Sequence, residues 1–412
     1  MAIVKPFKAV RPSRDKVALV SSKSYEAYTP AELGAKLDFN PFTFLHIIHP
    51  GYKHPQEISS DQRFQMVHDR YIEFKENGIF IKEDSASFYV YESSDSRNSF
   101  CGIIAATAVD DYTNGLIKKH EGTIKKREQL FETYLKATGF NAEPVLLMYE
   151  DDVAFDDLLL TIKKERPEYE FSTTDKRLHR LWLVQDSENI EKITSFFDKK
   201  DTLYIADGHH RSASSALLKK DLHAENIDHK GTENYNYFMS YLIPESNLKI
   251  SEFNRFIKDL NGYTDEEFFS KLETSFIIKN HGSNFKTPTK KHQFSMYLNG
   301  DFFTLQLKDY VYNYSDALSK LDTEILYRTI LQPILGIEDL QNNNNRIGYT
   351  NNKLDILSLK SNVDNGSYKV GFGMLPITID EMKEIADSKL IMPPKTSYIE
   401  PKLRSGLTMY EF

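Results

Sequence analysis

The stretch LYIADGHHRSASSALL, residues 203–218, sets an acid, a glycine, two histidines and an arginine between an apolar run and an alanine-rich one. Leu203, Tyr204, Ile205 and Ala206 read as a buried strand, Asp207 and Gly208 as a turn, and SASSALLKK as a helix. A helix start exposes unpaired amide N–H groups and a partial positive charge, so anions bind there readily. His209, His210 and Arg211 at that start add directional donors, and an arginine can grip two phosphoryl oxygens at once. The same residues also suit a helix cap, a turn and a polar surface. Zinc is a weaker fit, because adjacent histidines rarely aim at one ion and no His-x-x-x-His pattern lies nearby.

Two further stretches carry candidate chemistry. KKHEGTIKKR, residues 118–127, gathers Lys118, Lys119, Lys125, Lys126 and Arg127 around the single carboxylate Glu121, with His120 and Thr123 beside it. Such a cluster could hold a polyanion while the acid takes a proton, and it equally suits a solvated helix start. IMPPKTSYIEPKLRSGL, residues 391–407, has three prolines within ten residues, which excludes a helix and predicts an ordered loop. That loop could present Lys395, Thr396 and Ser397 to a ligand, or pack along the surface as a tail.

The elements that must position these residues alternate in type. Val17 to Val20, Phe44 to Ile48 and Phe88 to Tyr91 read as strands, and QRFQMVHDRYIEF lies within a helix predicted from Asp61 to Asn77. GIIAATAV from Gly102 reads as a buried strand, followed by the turn DDYTNG and a helix that Thr123 would cap and Gly139 would stop. Its apolar face would be Ile124, Phe131, Tyr134 and Leu135. VLLMYE (145–150) and LWLV (181–184) are strand candidates, with helical patterns near 151–163 and 187–197. Beyond about 245, SFIIKN, HQFSMYLNG and DFFTLQLKD read as a meander, a helix is expected near 315–331, and the asparagines at 342–345 as a surface loop. This alternation predicts an α/β (α+β) chain. We divide it into an N-terminal segment 1–105, a core 106–244 and a C-terminal domain 245–412 that carries the 391–407 loop.

Composition limits the function. At 412 residues the chain exceeds what one core supports. A net charge of -8 offers no overall attraction to nucleic acid or to an anionic membrane, and no run is long enough to span a bilayer. One cysteine, Cys101, rules out a disulfide framework and fits a cytoplasmic protein. A G-x-x-x-x-G-K-[ST] phosphate loop and a G-x-S-x-G elbow are both absent, and GFG at 371–373 is too short for a dinucleotide fingerprint.

IADGHHRSAS resembles the box of the ParB/sulfiredoxin-like superfamily, in particular its free serine kinases. KKHEGTIKKR is similar to the segment that supplies their catalytic glutamate, and PPKTSYIEPKLRSGL to their C-terminal substrate loop, in the same order along the chain. With PFKAVRP, NPFTFLHIIHP and LQPILGI added, the chain resembles over its whole length a bacterial family long catalogued as a domain of unknown function, with relatives linked to pyrophosphate-dependent serine kinase activity.

The resemblance implies a ParB/sulfiredoxin-like core and a kinase that moves a phosphoryl group from pyrophosphate, or from ATP or ADP, to free L-serine, or in reverse. It makes Glu121 the general base, with His120 beside it. Asp207, Gly208, His209, His210 and Arg211, with Thr123 and Arg127, would surround the phosphoryl group, Asp207 facing a magnesium ion. Lys395, Thr396 and Ser397 would hold serine. There are two departures: Lys119 stands where a proline is expected, and SSKSYEAYT at 21–29 replaces a proline-tyrosine-aspartate turn, so no role is carried over for Ser24, Tyr25 or Glu26. The alternatives are a phosphatase acting on phosphoserine or another small ester, and a nucleotide-binding regulatory protein. A DNA-binding switch would need a helix-turn-helix and a basic face. A sulfiredoxin-like reductase would need a cysteine where His209 and His210 stand.

Overall fold

The structure, a computed structural model, describes residues 1–52, 58–338, 340, 345–350 and 356–412. Mixed helices and sheets make it an α/β (α+β) chain, as the alternation predicts. It divides into two compact units, neither contiguous in sequence: Met1–Lys118 with Thr123–Leu248 and Pro401–Phe412, and Lys119–Gly122 with Lys249–Glu400.

The first unit is built on a nine-stranded sheet. Its order runs Ile117–Lys118, Leu203–Asp207, Val145–Tyr149, Tyr237–Pro244, Ser99–Ala108, Phe88–Ser94, Leu178–Val184 and Tyr169–Ser172, with Val4–Lys5 paired to Ser99–Ala108. Segments 1–105 and 106–244 therefore both contribute strands to one sheet. The Val145–Tyr149 strand is buried at every position because helices cover the sheet. Leu147, Leu203, Ile205, Phe238 and Leu242 form the core with Phe155 and Leu159 of helix Val153–Ile162 and Ile193 and Phe197 of helix Ser187–Asp198.

Two strands expected near the N-terminus are helices. Val17–Val20 forms a single helical turn whose first and last amides donate to the carbonyls of Ser13 and Lys16. Leu45–Ile48 is another, with Phe44 and Ile47 packed against Val67, Tyr71 and Phe74 of helix Ser60–Glu76. Apolar runs this short carry no period that separates strand from helix, and packing decides. Helix Lys125–Thr138 ends at Gly139 as expected, with φ 76 in the left-handed region. Its N-cap is Ile124 and not Thr123, with no side-chain cap, and Ile124 and Phe131 are exposed.

The second unit holds a six-stranded sheet in the order Phe276–Asn280, Asp301–Leu307, Gln293–Leu298, Val370–Gly373, Asn254–Ile257 and Ile347–Thr350. The three strands read as a meander are present, but Phe276–Asn280 pairs with Asp301–Leu307 and not with Gln293–Leu298. Asn299 and Gly300, both at positive φ, close a tight hairpin between the other two, and the longer 281–292 connection carries the first strand to the outer edge. The helix expected near 315–331 is broken into Leu318–Lys320 (3-10), Asp322–Leu326 (α) and Tyr327–Leu331 (π). Pro333 has no N–H to continue an α ladder, and the Gln332 amide donates instead to the Tyr327 carbonyl. Of the asparagine loop, 342–344 lie outside the described residues.

Candidate functional site

In the first unit the strand Leu203–Asp207 runs into the helix His209–Glu225 through Gly208. Gly208 has φ 102, and a Cβ there would lie 2.9 Å from Nε of Arg211, so a side chain would both strain the turn and displace the guanidinium. The first bond of the helix runs from the Ser212 amide to the Gly208 carbonyl, leaving the amides of His209, His210 and Arg211 without an intrahelical acceptor. No acidic residue occupies the first turn. Ser214 and Ser215 are buried and donate back to the carbonyls of His210 and Arg211 at 2.6 and 2.9 Å, so those hydroxyls are structural.

The C-terminal segment brings residues to this turn that the sequence did not single out. Strand Tyr410–Glu411 pairs with Phe140–Asn141, and Ser405 and Ser22 exchange both backbone hydrogen bonds. That anchoring places Lys402 Nζ 3.1 Å from Asp207 Oδ2. Arg211 Nη2 lies 3.7 Å from the same oxygen, and its Nη1 donates to Glu143 at 3.3 Å. The Ser405 hydroxyl donates to the other Glu143 oxygen at 2.5 Å, and the Ser22 hydroxyl is buried without a hydrogen-bond partner among the described residues. Asp207 and Lys402 are both partly exposed, so their pair contributes only about 0–1 kcal/mol to stability; its consequence is the arrangement of charge.

Burial raises the Asp207 pKa, but Lys402 and Arg211 outweigh it, and the carboxyl is held below its ordinary value. His210 is shifted down by burial and by Arg127, so its imidazole is neutral at neutral pH. His210 Nδ1 is buried and has no hydrogen-bond partner among the described residues. His209 is buried. Arg127 is exposed on helix Lys125–Thr138, and Thr123 is half-buried just before it. No three His, Cys, Asp or Glu side chains among the described residues gather as a metal cluster. Asp207, paired with Lys402 and Arg211, is the carboxylate at this turn that could face a magnesium ion held mainly by phosphate oxygens.

Glu121 and His120 belong to the second unit, as do Lys395, Thr396 and Ser397. The Met392 amide donates to the His120 carbonyl at 2.9 Å, and Glu121 bridges to Met392 in parallel. His120 is fully buried and Glu121 half-buried. The Thr396 hydroxyl is buried and donates to the Pro393 carbonyl at 2.6 Å, which fastens the loop. Lys395 takes a φ of 57, and the Ser397 hydroxyl is buried without a hydrogen-bond partner among the described residues. The 391–407 stretch is thus divided: through Glu400 it belongs to the second unit, and from Pro401 it serves the Asp207 turn of the first. Ser24 and Tyr25 lie at a short 3-10 turn, Tyr25–Ala27.

A family model described as protein of unknown function (DUF1015) matches residues 4–324. No curated protein matches the chain significantly. Among solved structures, a free serine kinase in complex with AMP is similar at 12% identity, with 74% of this chain and 91% of that chain covered and a TM-score of 0.36. SbnI with C-terminal truncation from Staphylococcus aureus is similar at 11% identity, covering 74% and 85%, TM-score 0.38. A conserved hypothetical protein from Pyrococcus furiosus gives 11%, 73% and 91%, TM-score 0.33. No helix among the described residues is long and apolar enough to cross a membrane.

Proposed function

The chain belongs to the DUF1015 family, and from that premise we propose that it is a small-molecule kinase transferring a phosphoryl group from pyrophosphate, or from a nucleotide, to the hydroxyl of free L-serine. The observation that carries this reading is the helix start at Gly208: no acid in the first turn, with Arg211 and Lys402 beside it. Phosphoryl transfer asks little covalent work of a protein beyond positioning and neutralising spread negative charge, which such a turn supplies. We also assign the 106–244 region to the ParB/sulfiredoxin-like superfamily, on the DGHHR box alone, and place the protein in the cytoplasm.

In this reading the serine oxygen attacks one phosphorus of pyrophosphate, the bridging P–O bond breaks, and orthophosphate leaves. The hydroxyl proton passes to Glu121, with His120 beside it. Gly208, His209, His210 and Arg211 hold the phosphoryl oxygens, assisted by Thr123 and Arg127, and Lys395, Thr396 and Ser397 hold serine. Neutral His210 serves as a hydrogen-bonding group and Arg211 as the bidentate cation. Asp207 keeps Lys402 and Arg211 in place and would be the residue to hold a magnesium ion, which would supply neutralisation of the donor's phosphate charge.

The test incubates the full chain and magnesium with L-serine plus pyrophosphate, ATP or ADP in turn, followed by phosphorus NMR. Phosphoserine from at least one donor is expected. No phosphoserine from any of them removes the kinase reading, and release of phosphate from added phosphoserine without an acceptor replaces it with a phosphatase that uses the same grip.

A further inference from the structure

Arg255 is a charged side chain in the interior of the second unit. It sits in strand Asn254–Ile257 between Phe372 and Tyr349 of the neighbouring strands, and its exposure is 0%. Met296 and Phe372, in register with it, belong to the apolar core. Its guanidinium has no carboxylate partner among the described residues. Nη1 donates to the Phe253 carbonyl at 3.1 Å and meets the Met374 sulfur at 3.3 Å, Nη2 reaches the Lys395 carbonyl only at 3.4 Å, and Nε has no partner. The Tyr349 ring lies 5.8 Å away and its hydroxyl is also unpaired among the described residues.

A position that needed only to fill this core would be served better by an apolar side chain, because a buried charge without a counter-ion is strongly unfavourable. A thioether and a long carbonyl contact are weak partners for five N–H groups whose fork matches a carboxylate. Burial already drives the pKa down to about 10, the direction expected of a cation lacking its anion. The weakest of the three contacts comes from Lys395, whose left-handed backbone directs that carbonyl, and Lys395 begins the Lys-Thr-Ser segment.

We propose that Arg255 anchors the α-carboxylate of a free amino acid, exchanging the Lys395 carbonyl and the Met374 sulfur for two carboxylate oxygens. This rests on the reading of the acceptor as a free amino acid, and it adds the group that selects for that class over simple alcohols.

The experiment measures binding of L-serine, L-alanine and serinol, which lacks the carboxylate, to the full chain by calorimetry. Expected is a preference of at least about 30-fold for the two amino acids over serinol, because a site built for a polar group rejects the analogue lacking it. R255M should abolish the preference and R255K should keep part of it. Where R255M fails to fold, the guanidinium nitrogen resonance of Arg255 in the unsubstituted protein should shift with L-serine and not with serinol. Retention of the preference in R255M, an unmoved resonance, or no amino-acid binding at all overturns the anchor. Carboxylate-dependent binding without phosphoryl transfer leaves the anchor standing and removes the kinase reading alone.

Discussion

Lys402 donates to Asp207 across 195 residues of sequence, fixing a C-terminal cation to the turn where the Leu203–Asp207 strand becomes a helix. Together with Arg211, which also pairs with Glu143, it keeps Asp207 ionised and sets two cations beside the turn. Removing Lys402 should therefore cost anion affinity and not stability. K402M is expected to weaken pyrophosphate binding about tenfold, or about 1.4 kcal/mol, by calorimetry, with thermal unfolding nearly unchanged. A large drop in stability with unchanged affinity would make the pair structural.

Glu121 is held by backbone pairing with Met392, so its side chain can be altered without removing that bridge. E121Q should lower phosphoserine formation by at least about 100-fold while pyrophosphate affinity stays within about threefold. Near-normal turnover would remove Glu121 from the role of base.

Gly208 is required by both its backbone and its neighbour. G208A places a Cβ at φ 102 against the Arg211 guanidinium and should destabilise the protein by about 1–2 kcal/mol in denaturant unfolding. Pyrophosphate binding should fall with it, because Arg211 must move. Unchanged affinity would show that Arg211 does not grip the anion.

How much of this could be read from the chain differs by feature. The strand, glycine and helix at 203–225 were legible because an apolar run, a turn residue and helix formers follow one another within a few positions. Val17–Val20 and Leu45–Ile48 were not, since four residues fit either state and packing chose helix. Glu143, Ser405 and Lys402 carry no local signal, and only pairing of distant segments brings them to Arg211 and Asp207. Arg255 has no neighbour in sequence that marks it as buried; its burial comes from strands on both sides, about a hundred residues away.

Asp322 offers a test by pH. Its carboxyl accepts from the His292 amide at 2.8 Å, while Oδ2 is buried without a partner among the described residues, and burial pushes its pKa up to about 6. As pH rises above the ordinary value of 3.8, the unfolded chain releases this proton freely while the folded chain retains it up to about 6. Stability from this group is thus full below 3.8, declines through that window and stays reduced above it. Asn keeps the acceptor oxygen and does not titrate. D322N should gain about 1–3 kcal/mol over the unsubstituted protein at neutral pH and none at about pH 3.5, measured by denaturant unfolding across pH. An equal gain at every pH would show that the carboxyl is not protonated in the fold.

The chain leaves the first unit at Lys119, returns at Thr123, leaves again at Lys249 and returns at Pro401. No single cut separates the two units, because the first holds both ends of the chain and any cut divides it. Expression of either alone as one uninterrupted stretch would omit part of its own structure, and a gene fragment ending at 324 would stop inside the second sheet, before Ile347–Thr350 and Val370–Gly373 are made. The two units are therefore not exchangeable modules: a contiguous swap or truncation confined to one of them necessarily disturbs the covalent path of the other.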